Sequence, residues 1–349
     1  GPQSLCRSRL DLAALRALGL SPRAAPNTTL GRAMLRFLVR RTFEALLVLW
    51  LAVSIAFVLM RAAPGEPFAH LLEDPRAGEE IRRALIASYG LDQPLVEQYR
   101  RFLAGAARGD FGVSLSHARP VRAVIAESLP NTVLLASVAL LLGFAFGIAL
   151  GALQGAREGS LFDRASSALA LVLAALPEFW LGTVALLLFA VHWPLFPAAG
   201  MTDPVFYPSF DRLGKLLDVL RHLALPALTL ALIVGAAISR YQRAALLEAL
   251  PEAFMRTARA KGLPRRRAVY RHALRPALLP VITLGGLAVP AIVGGAVFVE
   301  QIYAWPGLGR VAVEAVQTRD YPLVLGCVIV TSVMVSVGSL TSPSRMMLS

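Results

Sequence analysis

Apolar residues concentrate in six stretches, at about 40–62, 130–155, 165–192, 222–240, 277–299 and 321–340, divided by segments rich in charge, Pro or Gly. A helix needs about 20 mostly apolar residues to cross a hydrocarbon core about 30 Å thick, and each stretch reaches or approaches that length. The pattern predicts an all-α integral membrane protein with six transmembrane helices. The second stretch is the clearest, because 132–153 carries no Asp, Glu, Lys or Arg. Within it Gly143, Gly147 and Gly151 recur every fourth residue, on one helical face. Two readings of that stripe stay open: a face where a second helix packs closely, or the general tolerance of membrane helices for glycine. The fourth stretch reads longer if its helix continues past Arg240.

The intervening segments are patterned too. Residues 79–89 read as a helix ended by Gly90, and Pro94 suits the first turn of another running to about Leu103. Gly109, Asp110, Phe111 and Gly112 read as a turn. Together they predict a small folded cap over 63–129, while 193–221, rich in Pro and aromatics, reads as a headgroup-level loop. Residues 1–33 share none of this pattern and read as an amino-terminal extension or leader, with Met34 a natural start. The expected divisions are 34–62 for the first span, 63–129 for the cap, 130–340 for the core with an inner loop at 241–276, and 341–349 for an atypical tail.

Composition and charge turn the pattern into a topology. The chain is 56% hydrophobic and 16% charged, with a mean hydropathy of +0.61, which makes lipid the solvent for much of its surface. The net charge of +13 fits nucleic acid, an anionic membrane or topology-setting charge, but the arginines sit in short loops, which favours topology. Between 240 and 275 ten Arg or Lys face two acids, whereas 63–129 balances eight Arg with nine acids. The amino terminus, the 240–275 loop and the carboxyl terminus are therefore expected inside, and 63–129 outside. Cys6 and Cys327 make no disulfide framework, and His70, His117, His192, His222 and His272 are too scattered for a metal site. No phosphate-binding Gly-x-x-x-x-Gly-Lys-Ser/Thr loop and no hydrolase or metalloprotease motif occurs in the sequence. Nothing in it points to an enzyme or to a cofactor held on this chain.

The inner loop carries the most information. From Glu248 to Lys261 only Pro251 is poor for a helix, and it suits a first turn. Ala253, Thr257, Ala258 and Ala260 offer small residues; Arg256, Arg259 and Lys261 offer charge. Gly262 reads as a left-handed cap, and Pro264 bars the helix from resuming. Such a helix suits docking into a groove on another protein, or equally contact with anionic lipid.

Here a resemblance adds to the residues. Arg256-Thr257-Ala258-Arg259-Ala260-Lys261-Gly262, with Arg271-His272-Ala273-Leu274-Arg275-Pro276 beyond it, resembles the EAA loop of binding-protein-dependent ABC transporter permeases, in the dipeptide, oligopeptide and nickel branch. Further likenesses fall in order: Ala63-Pro64-Gly65-Glu66-Pro67, Tyr89-Gly90-Leu91-Asp92-Gln93-Pro94, Gly109-Asp110-Phe111-Gly112, Leu129-Pro130-Asn131-Thr132, Glu300-Gln301-Ile302-Tyr303-Ala304-Trp305-Pro306-Gly307 and Arg319-Asp320-Tyr321-Pro322. They cover about 34–339. Position 275, often Asn in that branch, is Arg here, and the tail lacks the usual ending.

The resemblance implies an importer permease in a bacterial inner membrane, with its amino terminus cytoplasmic. It implies a second homologous permease subunit, two ATPase subunits binding ATP and Mg, an external solute-binding protein and no nucleic acid. Contact with the ATPases would fall on Glu252, Ala253, Arg256, Thr257, Ala258, Ala260, Lys261 and Gly262. Short peptides are the expected cargo, with glutathione or a nickel chelate behind them. A self-sufficient ion-coupled carrier is the rival, but it predicts internal repeats and several buried ionisable groups.

Pro177 falls inside the third stretch, where it is expected to kink the helix. Glu178 follows it near mid-depth, where a bare carboxylate costs at least about 2 kcal/mol. It reads either as lining the translocation path, with Pro177 and Asn131, or as bonded to backbone that the kink frees. Glu300 reads as a loop anchor or an element of an outer gate with Trp305, Pro306 and Gly307.

Overall fold

The computed structural model describes residues 28–62 and 92–340. Most of the leader with Cys6, the motif at 63–67, His70, the expected helix at 79–89 and the tail at 341–349 lie outside the described residues. The chain divides into two compact units, Gly1–Leu47 and Val48–Ser349. The described part of the first is the beginning of α1 (Thr28–Ala62), where Arg40 pairs with Glu44 at 2.9 Å and Val39, Phe43 and Leu46 are exposed.

The second unit holds the rest of α1 and then α2 (Leu95–Ala107), α3 (Val121–Ala156), α4 (Leu161–Ala175), α5 (Glu178–Leu186), α6 (Arg212–Ala249), α7 (Ala253–Ala260), α8 (Arg265–Ala268), α9 (Leu274–Ile302), α10 (Leu308–Gln317) and α11 (Tyr321–Leu340). Among the described residues, α1, α3 and α6 are long and apolar enough to cross a membrane. The bent pair α4–α5 makes a fourth span if taken as one, and Tyr321–Ser336 is a shorter apolar helix. With 38 residues, α6 is about 57 Å long at 1.5 Å per residue, far more than a hydrocarbon core. It therefore runs well beyond Arg240, carrying the inner loop at its end.

The tightest packing joins α3 to α6, and the glycine stripe is its cause. A Cβ on Gly143 would meet Val234 at 2.9 Å, and one on Gly147 would meet the Gly235 carbonyl at 2.7 Å. At Gly151 it would run into the Ser239 carbonyl, and at Gly155 into Leu246. The two backbones approach as closely as they do because these positions have no side chain, which decides between the two readings of the stripe. Gly155, not singled out from the sequence, continues it by another turn.

The third stretch differs from expectation. Pro177 does not kink one helix; α4 stops at Ala175, and α5 leaves the break at 105°. The pyrrolidine ring disfavours helical geometry in the residue before it, and Leu176 is extended, with ψ 137°. Pro177 itself, at ψ 136°, flanks the new helix, which winds on as a π-helix over Leu187–His192. At the other end α4 starts cleanly, because Ser160 Oγ accepts the Asp163 N–H at 3.2 Å.

Outside these spans α2 lies against the end of α1. Tyr99 shares a 2.5 Å hydrogen bond with Ser54, and Phe57 packs on Tyr99 and Phe102. Gly109 and Gly112 turn the chain with φ of 74° and 82°. The loop before α6 is ordered by Asp203, whose carboxylate takes the N–H groups of Val205 and Phe206 at 2.8 and 2.9 Å. Those two donors hold the Asp203 carboxyl below the usual carboxylate range.

Candidate functional site

Two places gather the residues that the sequence singles out. One is α7 with its flanks. Its turns alternate between a buried and an exposed stripe: Met255 and Ala258 are buried at 0% and 6% exposure, while Ala253, Arg256, Thr257 and Ala260 are exposed at i, i+3, i+4 and i+7. Met255 joins a core with Leu246 and Ala249 from α6, Ala268, Val269 and Ala273 from the segment leading into α9, and Ala277 of α9 itself. One short helix is thereby fastened to the end of one long helix and the beginning of another.

The carboxyl end of α7 is closed by its backbone. Gly262 donates to the Arg259 carbonyl at 2.9 Å, and Leu263 donates to the Ala258 carbonyl at 3.3 Å. Gly262 stands at φ 80°, and the pair of bonds forms a Schellman cap. The helix is shorter than 248–261, because α6 runs on to Ala249 and the chain breaks through Pro251 before Glu252 flanks α7. Ala258 differs from the other residues of the expected contact set: it shares the inward stripe with Met255 and is covered by this chain. Glu252, Lys261 and Gly262 are exposed.

The other place is the loop between α9 and α10, which a set of side-chain hydrogen bonds holds. Glu300 is completely buried. Its carboxylate accepts the Thr132 hydroxyl at 2.6 Å and the Arg310 N–H at 3.0 Å. Thr132 in turn accepts the Leu308 N–H at 2.7 Å. Asn131 donates to the Pro306 carbonyl at 2.8 Å, while its own carbonyl takes the Trp305 indole N–H at 3.0 Å. Trp305 is buried; Pro306 is exposed. Gly307 is required here, since a Cβ would overlap the Glu300 carboxylate. One turn back, Tyr303 bonds Thr229 of α6 and the Gly182 carbonyl of α5, each at 3.0 Å. The loop thus clasps α3, α5, α6 and α9. Asn131 is bonded into this clasp and is not grouped with Pro177 and Glu178.

Glu178 lies in the first turn of α5, half-buried, with Phe179 and Trp180 exposed beside it. Its carboxylate makes no hydrogen bond or ion pair among the described residues. The freed N–H groups of a helix start favour a negative charge there.

Sequence reasoning missed two polar pairings. Asp163 at the start of α4 is buried and takes Arg243 of α6 through two oxygens, at 2.7 and 2.9 Å. Asp320 is buried before α11 and accepts Ser114 Oγ at 2.5 Å, Ser116 N–H at 2.9 Å and Ser116 Oγ at 2.8 Å. In the sequence alone Arg243 reads only as topological charge. The signal for its partner was the Ser160–Asp163 spacing of a capped helix start.

These features define a multi-pass helical protein of the membrane. Its sequence matches the binding-protein-dependent transport system inner membrane component over residues 128–344, and the amino-terminal part of such membrane components over 34–136. Among curated proteins it is 38% identical over 309 residues to the oligopeptide transport system permease protein AppB of Bacillus subtilis, covering 88% of this chain and 95% of that one. It is 36% identical over 317 residues to the dipeptide transport system permease protein DppB of Escherichia coli, covering 86% and 94%. The oligopeptide transport system permease protein OppB of Mycobacterium bovis is 36% identical over 315 residues, covering 88% and 96%. The chain belongs to the binding-protein-dependent transport system inner membrane component family. It is a permease component of the inner membrane and not an enzyme.

Proposed function

We propose that this chain is one of two permease subunits of an ATP-binding cassette importer and forms half of a pathway for short peptides. Six spans would place the amino terminus and the 241–276 loop in the cytoplasm and the 63–129 cap outside, facing a solute-binding protein. ATP and Mg would bind two partner ATPase subunits. The relatives named for oligopeptides and dipeptides support the choice of cargo. Glu178, at the break beside Pro177, is the group proposed to meet a peptide's amino end, while Glu300, Asn131, Trp305, Pro306 and Gly307 would brace the outer gate.

The observation that carries this reading is α7: one stripe fastened to both α6 and α9, the other bare. A partner pressing on Ala253, Arg256, Thr257 and Ala260 would move two long helices together, with Glu252 and Lys261 at the rim. The test is ATP hydrolysis and peptide uptake by the reconstituted complex carrying Arg256→Glu or Ala260→Trp. Both substitutions lie on the exposed stripe, so insertion stays normal, while stimulated hydrolysis and uptake fall by at least about tenfold through charge and shape mismatch. Uptake that proceeds without ATPase subunits, or that ignores both variants, rejects the reading in favour of an ion-coupled carrier.

A further inference from the structure

The coupling reading leaves unused a basic groove that follows α7. It has a volume of about 820 Å³ and is lined by Pro264, Arg266, Arg267, Tyr270, Arg271 and Arg275. The four arginines are exposed, and none of their guanidinium groups has a hydrogen bond or ion pair among the described residues. Among the described residues no acidic side chain lines the groove. Guanidinium groups present paired N–H donors that match phosphate oxygens, so four without a carboxylate describe a site for a phosphate-bearing anion.

The groove does not end in water-facing residues. Arg275, Leu279 and Ile282 fall at i, i+4 and i+7 along α9, and Leu279 and Ile282 are 66% and 62% exposed. An apolar stripe therefore runs from the last arginine along a helix expected to cross the bilayer. Tyr270 also lines the groove, and its apolar ring and polar tip suit the membrane interface. A soluble phosphate would use only the arginines and leave the stripe aside. An acidic protein segment would do the same. A phosphate joined to acyl chains uses both.

We propose that this groove is a headgroup site for an anionic phospholipid of the cytoplasmic leaflet, with its phosphate among Arg266, Arg267, Arg271 and Arg275 and its acyl chains along Leu279 and Ile282. The proposal rests on the orientation given above. Its test reads lipid binding in the absence of nucleotide, so the two readings fail separately. Bound at the junction of the inner loop with α9, the lipid would set the position of the segment on which α7 rests.

The full chain, purified in a neutral detergent, is titrated with short-chain phosphatidylglycerol, with phosphatidylcholine of the same chain length, and with inorganic phosphate, following thermal unfolding. Phosphatidylglycerol is expected to raise the midpoint and to bind about tenfold more tightly than phosphatidylcholine. Added salt lowers that preference in the wild-type chain. Arg267→Gln with Arg271→Gln abolishes the preference, Leu279→Ser weakens phosphatidylglycerol binding, and Arg212→Gln, far along the sequence, leaves it intact. Equal binding of the two lipids overturns the proposal, as does a preference that survives both salt and the double substitution. Inorganic phosphate that stabilises as well as phosphatidylglycerol assigns the groove to a soluble anion. Exclusion of phosphatidylglycerol by the assembled ATPase complex assigns it to a protein interface. Either result rejects the lipid site.

Discussion

Gly307 and Gly262 each stand at a helix boundary in a segment that the sequence singled out, and they are glycine for different reasons. A Cβ at Gly307 would overlap the Glu300 carboxylate, whereas one at Gly262 would meet nothing within 4 Å; only its φ of 80° resists a side chain. The first sits in a clasp where buried polar groups are bonded across four helices. The second ends a helix with one side left open. A buried, bonded network holds one geometry because each donor lost strands its acceptor. The clasp has the construction of a fixed joint, and α7 that of a part made to receive another surface.

The largest effect is therefore expected at the clasp. Gly307→Ala drives the Glu300 carboxyl from Thr132 and the Arg310 N–H, leaving a buried polar group without these donors, at a cost of about 3 kcal/mol, the upper end for stranded polar groups. Purified protein should unfold at a much lower temperature, and the folded yield should drop. A midpoint equal to wild type would show that the clasp yields easily, and the contrast with α7 would collapse. Glu300→Gln keeps the shape but weakens the bonds, and should cost about 1–3 kcal/mol.

Next comes the α3–α6 seam. Gly147→Val forces a side chain into the Gly235 carbonyl and Ile238, and overpacking of this kind costs about 1–3 kcal/mol. Gly294 in α9 is the counterpart, since a Cβ there meets nothing within 4 Å among the described residues, and Gly294→Ala should cost little stability. Equal losses from the two variants would mean that the stripe does not owe its effect to close approach.

That seam was legible in the sequence because its signal is local: three glycines at a fixed spacing. So was the end of α7, where Gly262 and Pro264 follow a short helical run. The clasp was half legible. Glu300, Trp305 and Gly307 were singled out, but Thr132 lies 168 residues from Glu300, and Ser114 lies 206 from Asp320. No window of neighbouring residues contains such a pair; it exists only once the helices are packed. Pro177 was read correctly as a disturbance and wrongly as a kink, since whether a helix bends or stops depends on what receives the segment beyond it. The inward turn of Ala258 was not legible either, because it follows from the packing of α7 against residues of α6 and of the segment before α9, and no short window contains those together.

A smaller effect is expected from the ion pair that joins α4 to α6. The Asp163 side chain is 3% exposed and that of Arg243 is 32% exposed, so Asp163→Ala strands a guanidinium that is only partly wetted. A loss of about 1–2 kcal/mol is expected, with Asp163→Asn losing less because one acceptor is kept. Both should leave the clasp bonds untouched. A combined Asp163→Ala and Gly307→Ala variant should therefore lose the sum of the two, as distant independent sites do. A large departure from additivity would show that the two regions are mechanically joined, and would blur the contrast between them.

The smallest change to stability, and the sharpest test of α7 as an open surface, is Gly262→Ala. The space at that position is empty, so the cost is that of holding an alanine at positive φ, about 1 kcal/mol. In a chain of this length that cost should move the unfolding midpoint by only about 2 °C. What should move is the cap: the bonds from Gly262 to Arg259 and from Leu263 to Ala258 loosen, and the last turn carrying Thr257, Ala260 and Lys261 frays. Stimulated ATP hydrolysis in the reconstituted complex is then expected to fall, though by less than with Arg256→Glu, and Gly262→Asn should recover most of it, because asparagine accepts left-handed backbone more readily than alanine. If alanine and asparagine lose hydrolysis equally, the glycine is needed for contact and not for its backbone. The inner helix would then resemble the clasp, with its glycine fixed by what lies against it.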